Sequence, residues 1–289
     1  MLVRLQGGGH HAWGESCPPY IPSYSAEHTL ATFHAVREHL APRIVGQEIG
    51  SVHDLLSRLD FVKATSSRGP RWRSPGGSWL KFRPGWDLDM LAAVRSTFPS
   101  FTFHIDCNAA YSPADTELFR TLDRYRLAMI EQPLADDGLS LVNHADLQAK
   151  IETPICLDES ALSLAHVEAA IRLGACRVIN IKMARAGGLE ASRRIQALCA
   201  QHGIPCWVGG MLETAIGGAI CAELATLPNF TYAGDIVPSS YFYRDDLGKP
   251  EIVLSGRGQV ATSRVPGIAQ APDPDLLAQW TVAQASFRV

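Results

Sequence analysis

Between residues 78 and 235, short apolar runs recur at almost equal spacing, separated by segments with helical periodicity. The runs are Trp79–Arg83, Phe101–Asp106, Leu127–Glu131, Pro154–Asp158, Arg177–Lys182, Pro205–Gly209 and Phe230–Asp235. Markers taken at their ends (Lys81, Asp106, Glu131, Asp158, Lys182, Gly209, Asp235) are 25, 25, 27, 24, 27 and 26 residues apart. That is the length of one strand, one helix and their two loops. The intervening stretches, such as LAHVEAAIRLGA and LEASRRIQALCAQHG, are built of good helix formers. Apolar strands alternating with helices predict parallel strands covered by helices. The even step favours an α/β fold of the closed (β/α) barrel type over an open doubly wound sheet, whose strand order must reverse. Seven strands are recognisable, one fewer than such a barrel needs.

The remaining segments read differently. Leu2–Leu5 and Ala12–Glu15 flank a glycine-rich turn and predict a hairpin. A helix is expected to open at Ser25, run through LATFHAVREHL and stop at Ala41–Pro42. A second short helix is expected at Val52–Leu59, and one in the tail near Pro274–Trp280. The expected organisation is a partial α+β capping domain over 1–63, an irregular linker over 64–77, a barrel over 78–265 and a tail over 266–289.

Composition removes several function classes. With 26 Lys+Arg against 29 Asp+Glu, the net charge of -3 lacks the basic footprint of a dedicated nucleic-acid binder. At 46% apolar residues the chain is no disordered tail or collagen-like repeat. No basic-then-apolar leader and no long apolar span is seen, so no membrane association is expected, and a soluble cytoplasmic protein is the expectation. The seven cysteines follow no metal-ligand spacing and read as buried free thiols.

The chemistry lies in what ends the runs. In a barrel of parallel strands the active site forms at their C-terminal ends. Here FTFHID, LAMIE, PICLD and VINIK end on Asp106, Glu131, Asp158 and Lys182, and WLK ends on Lys81. Three carboxylates from adjacent strands supply hard oxygen ligands suited to Mg²⁺, with Mn²⁺ as the alternative; no histidine or cysteine joins them to favour zinc. A lysine on either side would face a carboxylate substrate held there. That set suits abstraction of an α-proton, in which the metal offsets the charge of an enediolate and a lysine takes the proton.

The stretches HIDCNAAY, MIEQPL, TPICLDES, RVINIK, GIPCWVGGMLETAIG and LPNFTYAGD resemble the enolase superfamily, nearest to its o-succinylbenzoate synthase / N-succinylamino acid racemase group. The resemblance covers most of 78–265 and extends more weakly to the front. It implies that Asp106, Glu131 and Asp158 are metal ligands. It implies that Lys81, the second lysine of a Lys-x-Lys motif, abstracts the α-proton and assists loss of hydroxide. Lys182 would stabilise the enediolate from the other face, and in a racemase both lysines would act. Asn108 and Glu159 would orient the ligands, and Gly209, Gly210, Met211, Leu212 and Glu213 would border the succinyl part of the substrate. The implied reaction is a dehydration forming o-succinylbenzoate in menaquinone biosynthesis; the alternatives are racemisation of N-acyl amino acids or an impaired remnant of the family. A lysine Schiff-base aldolase barrel is the rival outside this chemistry, and the three carboxylates argue against it.

Two departures stand out. Trp79 replaces the first lysine of Lys-x-Lys, and MARAGGL follows Lys182 in place of PGRVGGL. The family also has a stretch between cap and Lys-x-Lys that holds the first barrel strand and its helix. Here Phe61–Val62 leads through ATSSRGPRWRSPGGS into the second strand, and the first cap strand is also missing at the front. The Arg/Gly/Pro/Ser bias of 66–78 resembles out-of-frame translation, so the gap is expected to mark a deleted or frame-shifted gene. A barrel lacking a strand exposes sheet edges, which another segment or oligomerisation across the seam would have to cover.

Overall fold

The computed structural model describes residues 1–18, 28–59, 79–81, 84–85, 87–255, 258–264 and 266–287, with backbone alone at His53 and Trp79–Lys81. The expected helix start at Ser25 and the 64–77 linker lie outside the described residues.

The front hairpin is antiparallel: β1 (Leu2–Gly7) pairs with β2 (His10–Glu15) in the register Leu2↔Glu15. Its turn needs left-handed backbone at both Gly8 and Gly9, which only glycine adopts freely. The next helix runs past the expected stop, as Thr29–Ala35, a π-turn over Val36–Leu40 and a last turn at Ala41–Ile44. The wide π-turn moves Pro42 away from the carbonyls that its ring would strike in a continuous α-helix. Val52–Leu59 is helical as expected.

The main sheet is parallel throughout, with strands adjacent in chain order: β3 (Trp79–Lys81), β4 (His104–Asp106), β5 (Ile130–Glu131), β6 (Ile155–Leu157), β7 (Val178–Ile181) and β8 (Cys206–Val208). The regular ladders are shorter than the apolar runs, but pairing continues beyond them, as in Ala128 N–H to Phe103 O (3.0 Å) and Arg177 N–H to Ile155 O (2.9 Å). The expected seventh strand, Phe230–Asp235, lies alongside β8 but makes one bridge, Cys206↔Phe230. Thr231 N–H bonds Cys206 O and Asp235 N–H bonds Val208 O. The 230–235 segment therefore uses two more residues than β8 between these bonds, a bulge that breaks the ladder. The sheet is thus a curled, incomplete barrel.

Alternation with period two divides the core. Ile105, Ile130, Ile155, Leu157, Ile179 and Val208 point outward into the main core beneath helices such as Thr116–Leu122 and Leu189–Gln201. Met129, Cys156, Val178 and Trp207 point inward as a separate small cluster that floors the barrel. No cysteine is in a disulfide, and all but Cys17 are buried. The C-terminal region adds β9 (Gly248–Lys249), which pairs with β10 (Ala271–Pro272), and a helix at Pro274–Trp280 capped by Asp273. Among the described residues no helix is long and apolar enough to cross a membrane.

Candidate active site

The register carries the charged strand ends to one rim. Lys81 pairs across to Asp106, and Asp106 to Glu131. Glu131 then pairs with Cys156, so Asp158 lies two residues further on, just past the end of β6, and Cys156 pairs with Val178. The stagger is that of tilted barrel strands. It brings Asp106, Glu131 and Asp158 together in a buried position, at 3%, 2% and 0% exposure. Lys182 reaches into the same group, its Nζ 3.0 Å from Asp158 Oδ2, and Arg185 pairs with the other oxygen, Asp158 Oδ1. Lys81 stands at the end of β3; its side chain is outside the described set.

The crowding sets the electrostatics of these carboxyl groups. Burial pushes the Glu131 carboxyl well above its ordinary range, and Asp106 and Asp158 push it further; Lys182 and an Asn180 hydrogen bond oppose them. Burial also acts to raise Asp158, but Arg185 and Lys182 override it and hold this carboxyl low. Glu159 is raised to about 8 by burial, Asp158 and Asp106. Asn108 adopts φ 43°, a left-handed conformation that asparagine tolerates. From there its backbone N–H donates to Asp106 Oδ1 (2.8 Å) and its Nδ2 to Asp106 Oδ2 (2.9 Å) and Glu159 Oε1 (3.4 Å). The residue thus links two of the carboxyl groups.

The donor set suits a divalent metal. It is all hard oxygen, mutually repelling and buried, and Glu131 Oε2 has no hydrogen-bond partner among the described residues. As the side chains stand, no three His, Cys, Asp or Glu among the described residues form a ready ligand group. Asp158 instead faces Lys182 and Arg185.

The 209–213 loop borders this cluster. Gly209 N–H donates to Ile181 O, and Lys182 acts electrostatically on Glu213. Gly210, Met211 and Glu213 line a cleft with Asp235 and Phe242. Glu213 Oε2 accepts from Met211 N–H at 2.6 Å, and Leu212 O accepts from Tyr243 Oη at 2.8 Å. Burial raises Glu213 to about 7.

Several polar residues of the site did not stand out in the sequence reading. Gln132, at φ 35°, accepts from the backbone N–H groups of Asp158 (3.1 Å) and Ser160 (3.2 Å), and donates to Leu134 O and Ser160 Oγ. It ties the loop after β5 to the loop after β6. Asn180 bonds Glu131, and Arg185 pairs with Asp158. The signal for Asn180 was present: it lies two residues before Lys182, on the same face of the strand.

Comparison with known proteins agrees with this geometry. Residues 60–276 match the family described as Enolase C-terminal domain-like. An N-succinylamino acid racemase from Amycolatopsis sp is 43% identical over 336 positions, covering 98% of this chain and 90% of that protein. The o-succinylbenzoate synthase of Bacillus subtilis (strain 168) is 40% identical over 337 positions, covering 99% and 90%. Both alignments are longer than the 289-residue chain, so these relatives carry residues with no counterpart here. A solved enolase-superfamily member from Listeria innocua Clip11262 superposes with a TM-score of 0.86 at 28% identity, covering 98% of this chain and 89% of that one. The chain belongs to the enolase superfamily, in its o-succinylbenzoate synthase / N-succinylamino acid racemase group.

Proposed function

We propose that this protein removes the α-proton of a small carboxylate substrate in a Mg²⁺-dependent dehydration that forms o-succinylbenzoate, as a cytoplasmic step of menaquinone biosynthesis. The observation that carries the reading is the buried convergence of Asp106, Glu131 and Asp158 from adjacent parallel strands, with Lys182 on the same rim. These three carboxylates would hold Mg²⁺ or Mn²⁺, which when bound offsets negative charge building on the substrate carboxylate. Lys81, at the end of the neighbouring strand, is assigned the proton abstraction. Lys182 contributes a fixed positive charge on the β7 side of the site. Asn108 and Glu159 orient the ligands, and the 209–213 loop shapes the pocket for the rest of the substrate.

A second reading, racemisation of N-succinyl amino acids, is favoured by the 43%-identical relative of that name. It uses the same proton abstraction and differs in returning the proton to the opposite face.

The test is o-succinylbenzoate formation by the purified protein, followed by ultraviolet absorbance with Mg²⁺ and then with chelator. Metal-dependent product that falls by at least ~100-fold in Lys81→Ala supports the synthase reading. Absence of product from folded protein, with racemisation of N-succinyl amino acids seen by polarimetry, selects the second. Failure of both activities leaves a barrel disabled by Trp79 or by the missing strand.

A further inference from the structure

Among the described residues, Glu131 is hydrogen-bonded on one side only. Its Oε1 accepts a 2.8 Å hydrogen bond from Asn180 Nδ2. Among the described residues its Oε2 has no hydrogen-bond partner, and His104 Nε2 lies 3.9 Å from it. Asn180 is itself buried at 1% exposure on the inward face of β7. Its own position is fixed from behind: a Cβ on Gly209 would overlap the Asn180 amide, lying 2.7 Å from Nδ2 and closer still to Oδ1. Gly209 has no left-handed φ, so its backbone does not demand glycine; the space taken by Asn180 does.

We propose that Asn180 is a positioning residue of the metal centre: it occupies Glu131 Oε1 and so presents Oε2 to the ion, and Gly209 exists at its position to admit the Asn180 amide. The inference rests on the ligand set assigned under Proposed function. An ionised carboxylate only accepts hydrogen bonds, so a donor on one oxygen fixes the rotation of the group and leaves the other oxygen for the metal. Partners of this kind commonly alter metal affinity 10–100-fold when removed.

The experiment is Mn²⁺ binding to metal-free protein, read as loss of the free-ion electron paramagnetic resonance signal. The chains compared are the parent, Glu131→Gln, Asn180→Leu, Asn180→Asp and Gly209→Ala, each with its metal-free thermal midpoint. The expected result is Mn²⁺ affinity weakened by about 10–100-fold in both Asn180 variants and in Gly209→Ala, with a cooperative transition retained. In Asn180→Leu, activity at saturating Mn²⁺ should recover toward the parent value, which a merely structural role would not give; Gly209→Ala is read by Mn²⁺ affinity alone. If Asn180→Leu fails to fold, Gly209→Ala decides, because it leaves Asn180 chemically intact and only displaces it. Affinity within twofold of the parent in folded variants, beside a clear loss in Glu131→Gln, overturns the role of Asn180 and leaves the ligand set standing. A parent protein that binds no Mn²⁺ overturns both.

Discussion

His144 is a basic side chain that the fold keeps neutral. It is fully buried, with Nδ1 2.7 Å from Ser140 O and Nε2 accepting the Leu134 N–H at 3.3 Å. That geometry requires a proton on Nδ1 and none on Nε2. Burial draws its pKa down from 6.5 to about 4, although the Ser140 carbonyl and Asp137 act to raise it. Below pH 6.5 the unfolded chain takes up a proton that the native state refuses. The contribution is therefore complete above pH 6.5 and is lost as pH falls toward 4, to a limit of about 3 kcal/mol. Urea unfolding across this window should show a steeper acid loss in the parent than in His144→Gln, whose amide accepts a hydrogen bond without titrating. Parallel slopes would refute this account. Site residues differ in how legible they were for a simple reason. Asp106, Glu131, Asp158 and Lys182 each end an apolar run, so local pattern marks them. The partners of Gln132 and Asn180 lie 28 and 49 residues away, at Ser160 and Glu131, and only strand register brings them together.

At the scale of elements, the front hairpin is fastened to the barrel by one carboxylate. Glu15, at the end of β2, accepts from Thr214 N–H (3.1 Å), Thr214 Oγ1 (2.9 Å) and Gly217 N–H (2.8 Å). These are among the donors left open at the start of the helix Ala215–Leu224, and Asp246 takes the Ala215 N–H. A side chain at 217 would strike Glu15 Oε2, with a Cβ only 2.7 Å away. Glu15→Ala should cost about 1–3 kcal/mol, because it orphans part-buried donors; denaturant unfolding measures it. Glu15→Gln, which keeps an acceptor, should cost less. The hairpin and both short helices were readable because glycines and caps mark them locally. The run through Pro42 and the bulge opposite β8 were not, since each depends on spacing that a propensity pattern does not encode.

For the whole molecule, the count of apolar runs already indicated an incomplete barrel, and the sheet has β3 as one end of its six-stranded order. The central strands β5–β7 are paired on both sides, whereas β3 is paired in its ladder on the β4 side. Native-state hydrogen exchange should be slowest at Ile130, Ile155 and Ile179, and faster by orders of magnitude at Trp79–Lys81 and over 230–235. Uniform protection across the sheet would show that another segment or a second copy covers the seam. The fastening of the hairpin also sets a clock for the nascent chain. Glu15 leaves the ribosome 199 residues before Thr214 and 202 before Gly217. At ~5–20 residues per second, the hairpin waits roughly 10–40 s for the helix it will cap. Throughout that interval the Glu15 carboxylate is held by water, and the donors that replace that water in the fold arrive only with Thr214 and Gly217.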